Sequence, residues 1–211
     1  MSSADDVLRR CWHDIAGPGF EHTGDLLVTR HSEPHRRYHT AEHVRWVLHH
    51  VTSIVDAEPG SAGAMDGAAI RAAALFHDVV YDPASTTNEA DSADVAVHAL
   101  VEVGWAEDRR RLVHDLVVAT AGHVPDSPAC AVLLDADLAI LGSDPSDYSA
   151  YVAGVRFEYR FVDDTAWQNG RATVLRAFLD RDRIYTTAAM AQREPQARIN
   201  LGAELAALMH A

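Results

Sequence analysis

Cysteine is scarce in this chain, positive charge is outnumbered, and long apolar runs are missing; each shortage closes off a class of function. Only Cys11 and Cys130 are present among 211 residues, far apart and without Cys-x-x-Cys spacing, so neither a disulfide framework nor a thiolate zinc site is indicated. The formal charge is −13 and no basic face is evident, which argues against polymeric nucleic acid as a partner. No apolar stretch approaches membrane-spanning length, and the first residues lack a basic start followed by an apolar segment. The expectation is a soluble, cytoplasmic protein without a membrane partner.

Strand-like alternation is also scarce, whereas apolar residues recur at helical spacing nearly everywhere. With 48% hydrophobic and 23% charged residues, the chain is long enough to bury a real core, and we expect an all-α helical bundle forming a single domain over residues 1–211. Turn signals punctuate it at Gly17-Pro18-Gly19, Glu58-Pro59-Gly60-Ser61, Asp82-Pro83 and Val124-Pro125. Spacing predicts helices over 39–55, 68–81 and 129–141, and amphipathic helices over 165–180 and 195–209.

Three of these segments carry metal-ligating residue types. On the first, His39 and His43 are four apart and would share a face. The second is alanine-rich and nearly free of charge, so its His77-Asp78 pair is expected inside the protein, where charge requires a partner. On the third, Asp135 and Asp137 sit among Val132, Leu133, Leu134, Leu138 and Ile140, an expensive place for carboxylates unless a metal or an arginine meets them. His43, His77, Asp78 and Asp137 together offer two neutral imidazoles and two carboxylates, a ligand set suited to a divalent cation such as zinc, manganese, iron or cobalt.

The dipeptide His-Asp alone is weak, since it also occurs at His13-Asp14 and His114-Asp115. The former sits one turn from a glycine stop, where it can cap carbonyls, and the latter shares a face with Arg111, as a solvated pair would. His22, His31, His35, His49, His98 and His210 read as surface or capping residues. His123, after Ala119-Thr120-Ala121-Gly122, is either a helix-end cap or a further ligand.

Two arginines fall where periodicity predicts burial: Arg171 in line with Trp167, Val174 and Phe178, and Arg198 in line with Leu201, Leu205 and Leu208. An inward guanidinium needs a carboxylate or a phosphate; the carboxylate could be Glu158, Asp163 or Glu194. Arg37, beside Tyr38-His39, is the best single candidate for contact with a small anionic, phosphate-containing substrate. Bound metal can reverse the sign of an acidic pocket for such a group.

Taken in order, Arg37-Tyr38-His39-Thr40-Ala41-Glu42-His43, Leu75-Phe76-His77-Asp78-Val79-Val80-Tyr81-Asp82, Asn88-Glu89-Ala90-Asp91 and Leu133-Leu134-Asp135-Ala136-Asp137-Leu138 resemble the HD-domain superfamily of metal-dependent phosphohydrolases, over most of the chain. The resemblance implies that His43, His77, Asp78 and Asp137 hold the metal, with Asp135 behind them. It implies hydrolysis of a phosphomonoester or phosphodiester, as of a nucleotide. The first segment is also similar to the Tyr-His-Asn-x-x-His motif of cyclic-nucleotide phosphodiesterases, which makes His39 the proton donor to the leaving oxygen, although Thr40 stands where that motif has asparagine. Glu89 and Asp82 resemble the acidic residues that other members place near the attacking water. Other chemistries on this scaffold include a non-catalytic metal-containing ligand-binding module and a di-iron oxygenase.

Overall fold

Helix starts and stops in this protein follow local capping chemistry at some ends and distant partners at others. The computed structural model describes residues 3–57 and 65–210; the turn expected at Glu58-Pro59-Gly60-Ser61 lies outside them. Among the described residues there are ten α-helices and no strand: α1 (Ala4–Ala16), α2 (Glu21–His31), α3 (Ala41–Ala57), α4 (Gly67–Phe76), α5 (Asn88–Glu102), α6 (Glu107–Ala119), α7 (Pro128–Asp137), α8 (Pro145–Glu158), α9 (Asp164–Leu179) and α10 (Glu194–His210). Two short 3-10 segments, Leu138–Gly142 and Ala188–Arg193, link α7 to α8 and lead into α10. The all-α expectation holds, and no helix among the described residues is long and apolar enough to cross a membrane.

Ser3 caps α1 by accepting from the Asp6 amide, and Gly17, at φ 78°, ends it by donating to the His13 carbonyl, the left-handed conformation that glycine adopts without penalty. Asp66 caps α4 through the Ala69 amide, and Ser127 caps α7 through the Cys130 amide with Pro128 in the first turn.

The core is organised around α4. Ala69, Ile70, Ala72, Ala73, Ala74, Leu75 and Phe76 are all fully buried, and the run of alanines lets α1, α3, α5, α6 and α7 all approach its backbone. Burial of Ile70, Leu75 and Phe76 contributes about 1.5–3 kcal/mol each. Trp12 of α1 meets Phe76 edge to face. On the other side α7 packs against α3, while α8 and α10 pack on the 3-10 segment Leu138–Gly142 that continues α7, and α9 lies against α10. This arrangement points the ends of α4 and α7 and the start of α3 at one place.

Three helix limits differ from those expected. The helix over 39–55 begins at Ala41, because the amides of Arg37, Tyr38 and His39 are taken by Glu158 Oε1 at 2.6, 2.7 and 3.0 Å. The helix over 68–81 stops at Phe76, and Arg36 collects carbonyls beyond it, those of Asp78 at 2.7 Å and Val79 at 3.2 Å. The helix over 129–141 changes to 3-10 geometry after Asp137.

Candidate metal centre

Each early helix end has a chemical consequence. Consecutive residues within an α-helix point in different directions, but the turn after α4 lets His77 and Asp78 both face α3. His43, near the start of α3, and Asp137, the last residue of α7, come from the opposite side. His43 Nε2 and His77 Nε2 stand 3.0 Å apart. Asp137 Oδ1 lies 3.2 Å from the former and 3.6 Å from the latter, and Asp78 Oδ2 lies 3.3 and 3.1 Å from the same two nitrogens.

These spacings suit a shared cation. Ligands about 2.0–2.2 Å from one ion, at tetrahedral to octahedral angles, stand roughly 2.8–3.6 Å from one another. His77 Nδ1 donates to the Ala74 carbonyl at 2.9 Å, which fixes the neutral ring with its Nε2 lone pair inward, the second support usual for a metal-ligating histidine. His43, His77 and Asp137 place their ligand atoms within 4.8 Å of one another and can hold a metal ion. Asp78 reaches both imidazoles but stands outside that mutual trio.

The electrostatics point the same way. Burial disfavours charge on the imidazoles, yet hydrogen bonds to the Asp137 and Asp78 carboxylates raise the His43 pKa, and the charge of Asp78 with hydrogen bonds to both carboxylates raises that of His77 further. Burial would likewise neutralise Asp78 and Asp137, but the surrounding histidines hold both well below the usual carboxylate range. The two buried carboxylates thus make the space between the imidazole nitrogens favourable for positive charge, as a cation site requires.

His123 joins from behind. It follows α6 at φ 48°, the one described non-glycine residue with positive φ, and its Nε2 lies 2.9 Å from Asp137 Oδ2, so the two carboxylate oxygens of Asp137 face different histidines. Backbone strain of this kind collects at functional sites.

A cavity of about 640 Å³ opens onto this cluster, with His39, His77, Asp78, Glu89, His123 and Asp137 in its wall. His39 does not share a helical face with His43, contrary to expectation, because it lies in the turn before α3. There its Nδ1–H donates to Glu158 Oε2 at 2.7 Å. Tyr81 donates its hydroxyl to the same oxygen at 2.9 Å. Burial alone would raise the Glu158 pKa, but the His39 hydrogen bond and charge, then the Arg37 and Tyr38 amides, bring it down to about 2. An ionised Glu158 holds the His39 ring by Nδ1 and leaves Nε2 without a protein hydrogen bond among the described residues.

No family model, curated protein or solved structure matches this chain. Its chemistry has to be read from the residues themselves.

Not every expected site residue reaches the cavity. Glu89 does, from the first turn of α5. Asp82 does not: it is exposed and accepts the Ala84 amide in a turn, as aspartate before a proline commonly does. Arg37 is exposed and off the cavity wall, whereas its neighbour Arg36 is buried and ties the His39 carbonyl at 3.1 Å to the carbonyls of the His77-Asp78 turn. Arg171 does line the cavity, but it is bound through two bonds of 2.8 and 3.0 Å to Glu204, a partner not among the three expected. Arg198 lies away from the cavity, pairing with Glu194 at 2.8 Å and donating to the carbonyls of Leu179, Arg181 and Asp182. Asp135 is not behind the candidate ligands; two positions from Asp137 on a helix it faces the other way and accepts the Thr186 and Thr187 amides.

His31 is not at the surface, as expected, but 1% exposed with neither ring nitrogen hydrogen-bonded. Glu158, expected only as a candidate partner for an inward arginine, instead holds the segment before α3 and the His39 ring. A readable signal existed: a glutamate closing a helix opposes the helix dipole, so its charge must serve another partner.

Proposed function

We propose that the protein is a metal-dependent phosphohydrolase that cleaves a phosphomonoester or phosphodiester, as in a nucleotide. The observation that carries this reading is the convergence of His43, His77, Asp78 and Asp137, with spacings of 3.0–3.6 Å at the imidazole nitrogens, at the foot of an open cavity whose wall also holds an oriented histidine. Those four residues would hold the ion. A bound divalent metal supplies Lewis acidity and a water acidified towards a pKa of about 7.

The remaining roles belong to side chains. Glu89, at the cavity wall with no hydrogen bond from another described residue, accepts a proton from the attacking water and orients it. His39 holds its tautomer through Nδ1–H to Glu158 and delivers a proton from Nε2 to the departing oxygen, a contribution typically worth about 10²–10⁴ in rate. Glu158 thereby supplies the orientation that asparagine gives in the motif where this chain has Thr40.

Purification without chelator, elemental analysis, and a panel of phosphate esters with added manganese, cobalt or zinc test the reading. Stoichiometric metal with turnover that is lost in His39→Ala and Asp137→Ala supports it. Stoichiometric metal without turnover of any phosphate ester overturns it in favour of a binding module.

A further inference from the structure

Part of the cavity wall is unlike a phosphate-chain site. Trp167, Val174 and Phe178, spaced seven and four residues apart along α9, share one apolar helix face in that wall, and Leu138 and Leu141 of the 3-10 segment also line the cavity. Tyr159 extends it, its ring 5.6 Å from that of Trp167. Val174 is 45% exposed, a large apolar side chain left open on this face.

Positive charge is sparse on the same surface. The chain contains no lysine, and Arg171 is the one arginine in the cavity wall. Its charge is already met by Glu204, and both side chains are buried, at 8% and 7% exposure. Asp78, Asp137 and Glu89 contribute three carboxylates. One divalent ion does not outweigh that set, so each added phosphate charge meets no unpaired cation and more repulsion.

Resting on the phosphohydrolase reading, we propose that the substrate is a singly charged phosphodiester with an apolar or aromatic ester group seated on the Trp167–Val174–Phe178 face, and that nucleoside di- and triphosphates are rejected. Hydrolysis forms one P–O bond to water and breaks one P–O ester bond. The water proton passes to Glu89 and the departing oxygen takes one from His39 Nε2, giving a phosphomonoester and an alcohol.

The test uses full-length protein with its metal content verified, and four probes: bis(4-nitrophenyl) phosphate, 4-nitrophenyl phosphate, ATP and inorganic tripolyphosphate. The expected result is a kcat/KM for bis(4-nitrophenyl) phosphate about a hundredfold or more above that for ATP, the order of discrimination an apolar pocket achieves. Trp167→Ala should raise KM for the aromatic diester about tenfold while leaving kcat within about twofold, as loss of uniform binding does. Val174→Arg, at an exposed position that tolerates a charge, should raise kcat/KM for ATP. A preference for ATP or tripolyphosphate, or a Trp167→Ala protein unchanged in KM, overturns the substrate class while the hydrolase reading stands. No turnover of any probe by metal-loaded protein overturns both.

Discussion

Glu158 ends α8 with a negative charge, and five donors meet it: the amides of Arg37, Tyr38 and His39, the His39 ring and the Tyr81 hydroxyl. Its pKa falls from an ordinary 4.5 to about 2 on folding. A folded value below the unfolded one means that the stabilisation is complete above pH 4.5 and is lost as pH falls through about 2; by linkage it is on the order of 3 kcal/mol. Glu158→Gln should therefore lower stability at neutral pH and flatten its decline in acid. It should also cut kcat by about 10- to 100-fold through misorientation of His39. A folded variant with unchanged kcat and pH profile would remove Glu158 from the catalytic geometry. At His31, burial and then the charge of Arg36 bring the pKa down to about 3. This stabilisation is complete above about 6.5 and is lost as pH falls towards 3. His31→Leu removes two unpartnered nitrogens, so it should leave stability at pH 7 equal or higher and reduce the loss between about pH 6.5 and 5. A loss above about 2 kcal/mol at pH 7 would show that the ring has a partner such as an internal water.

Helix interiors follow from periodicity because burial of a stripe is what stabilises them, and α3, α4, α7, α9 and α10 all coincide with an apolar stripe of the sequence. Their ends do not, because residues far along the chain decide them: Glu158 takes the amides before α3, and Arg36 takes carbonyls beyond α4. The candidate metal-holding positions were legible as charged or imidazole side chains in apolar surroundings. The partner of Arg171 was not, since Glu204 lies 33 residues away with no local pattern to mark it. Asp135 and Asp137 could have been separated by helical geometry alone. Asp135 anchors the segment leading into the second 3-10 turn, with 2.7 Å bonds from both the Thr187 amide and hydroxyl. Asp135→Ala should then cost about 2–3 kcal/mol in chemical denaturation while metal stoichiometry is unchanged. Asp137→Ala should do the reverse, abolishing stoichiometric metal with a smaller effect on the metal-free fold. Equal loss of metal in both variants would put Asp135 back behind the centre.

For the whole molecule, one core joins helices from both ends of the chain, from Ala4 to Leu201, and the candidate centre sits where α3, α4 and α7 meet. A metal held there would therefore link its binding to proton release and to global stability. Displacing protons from His43 and His77, whose pKa values are raised, should tighten metal binding by about tenfold or more between pH 6 and 8, as calorimetry would read. The net charge of −13 adds a field that attracts cations and weakens with salt. The most direct measurement is anomalous diffraction from metal-loaded crystals. The expected result is a single strong peak, or the nearer of two, within bonding distance of His43 Nε2, His77 Nε2 and Asp137 Oδ1. Metal bound elsewhere, with those three side chains hydrogen-bonded only to one another, would contradict the metal centre itself.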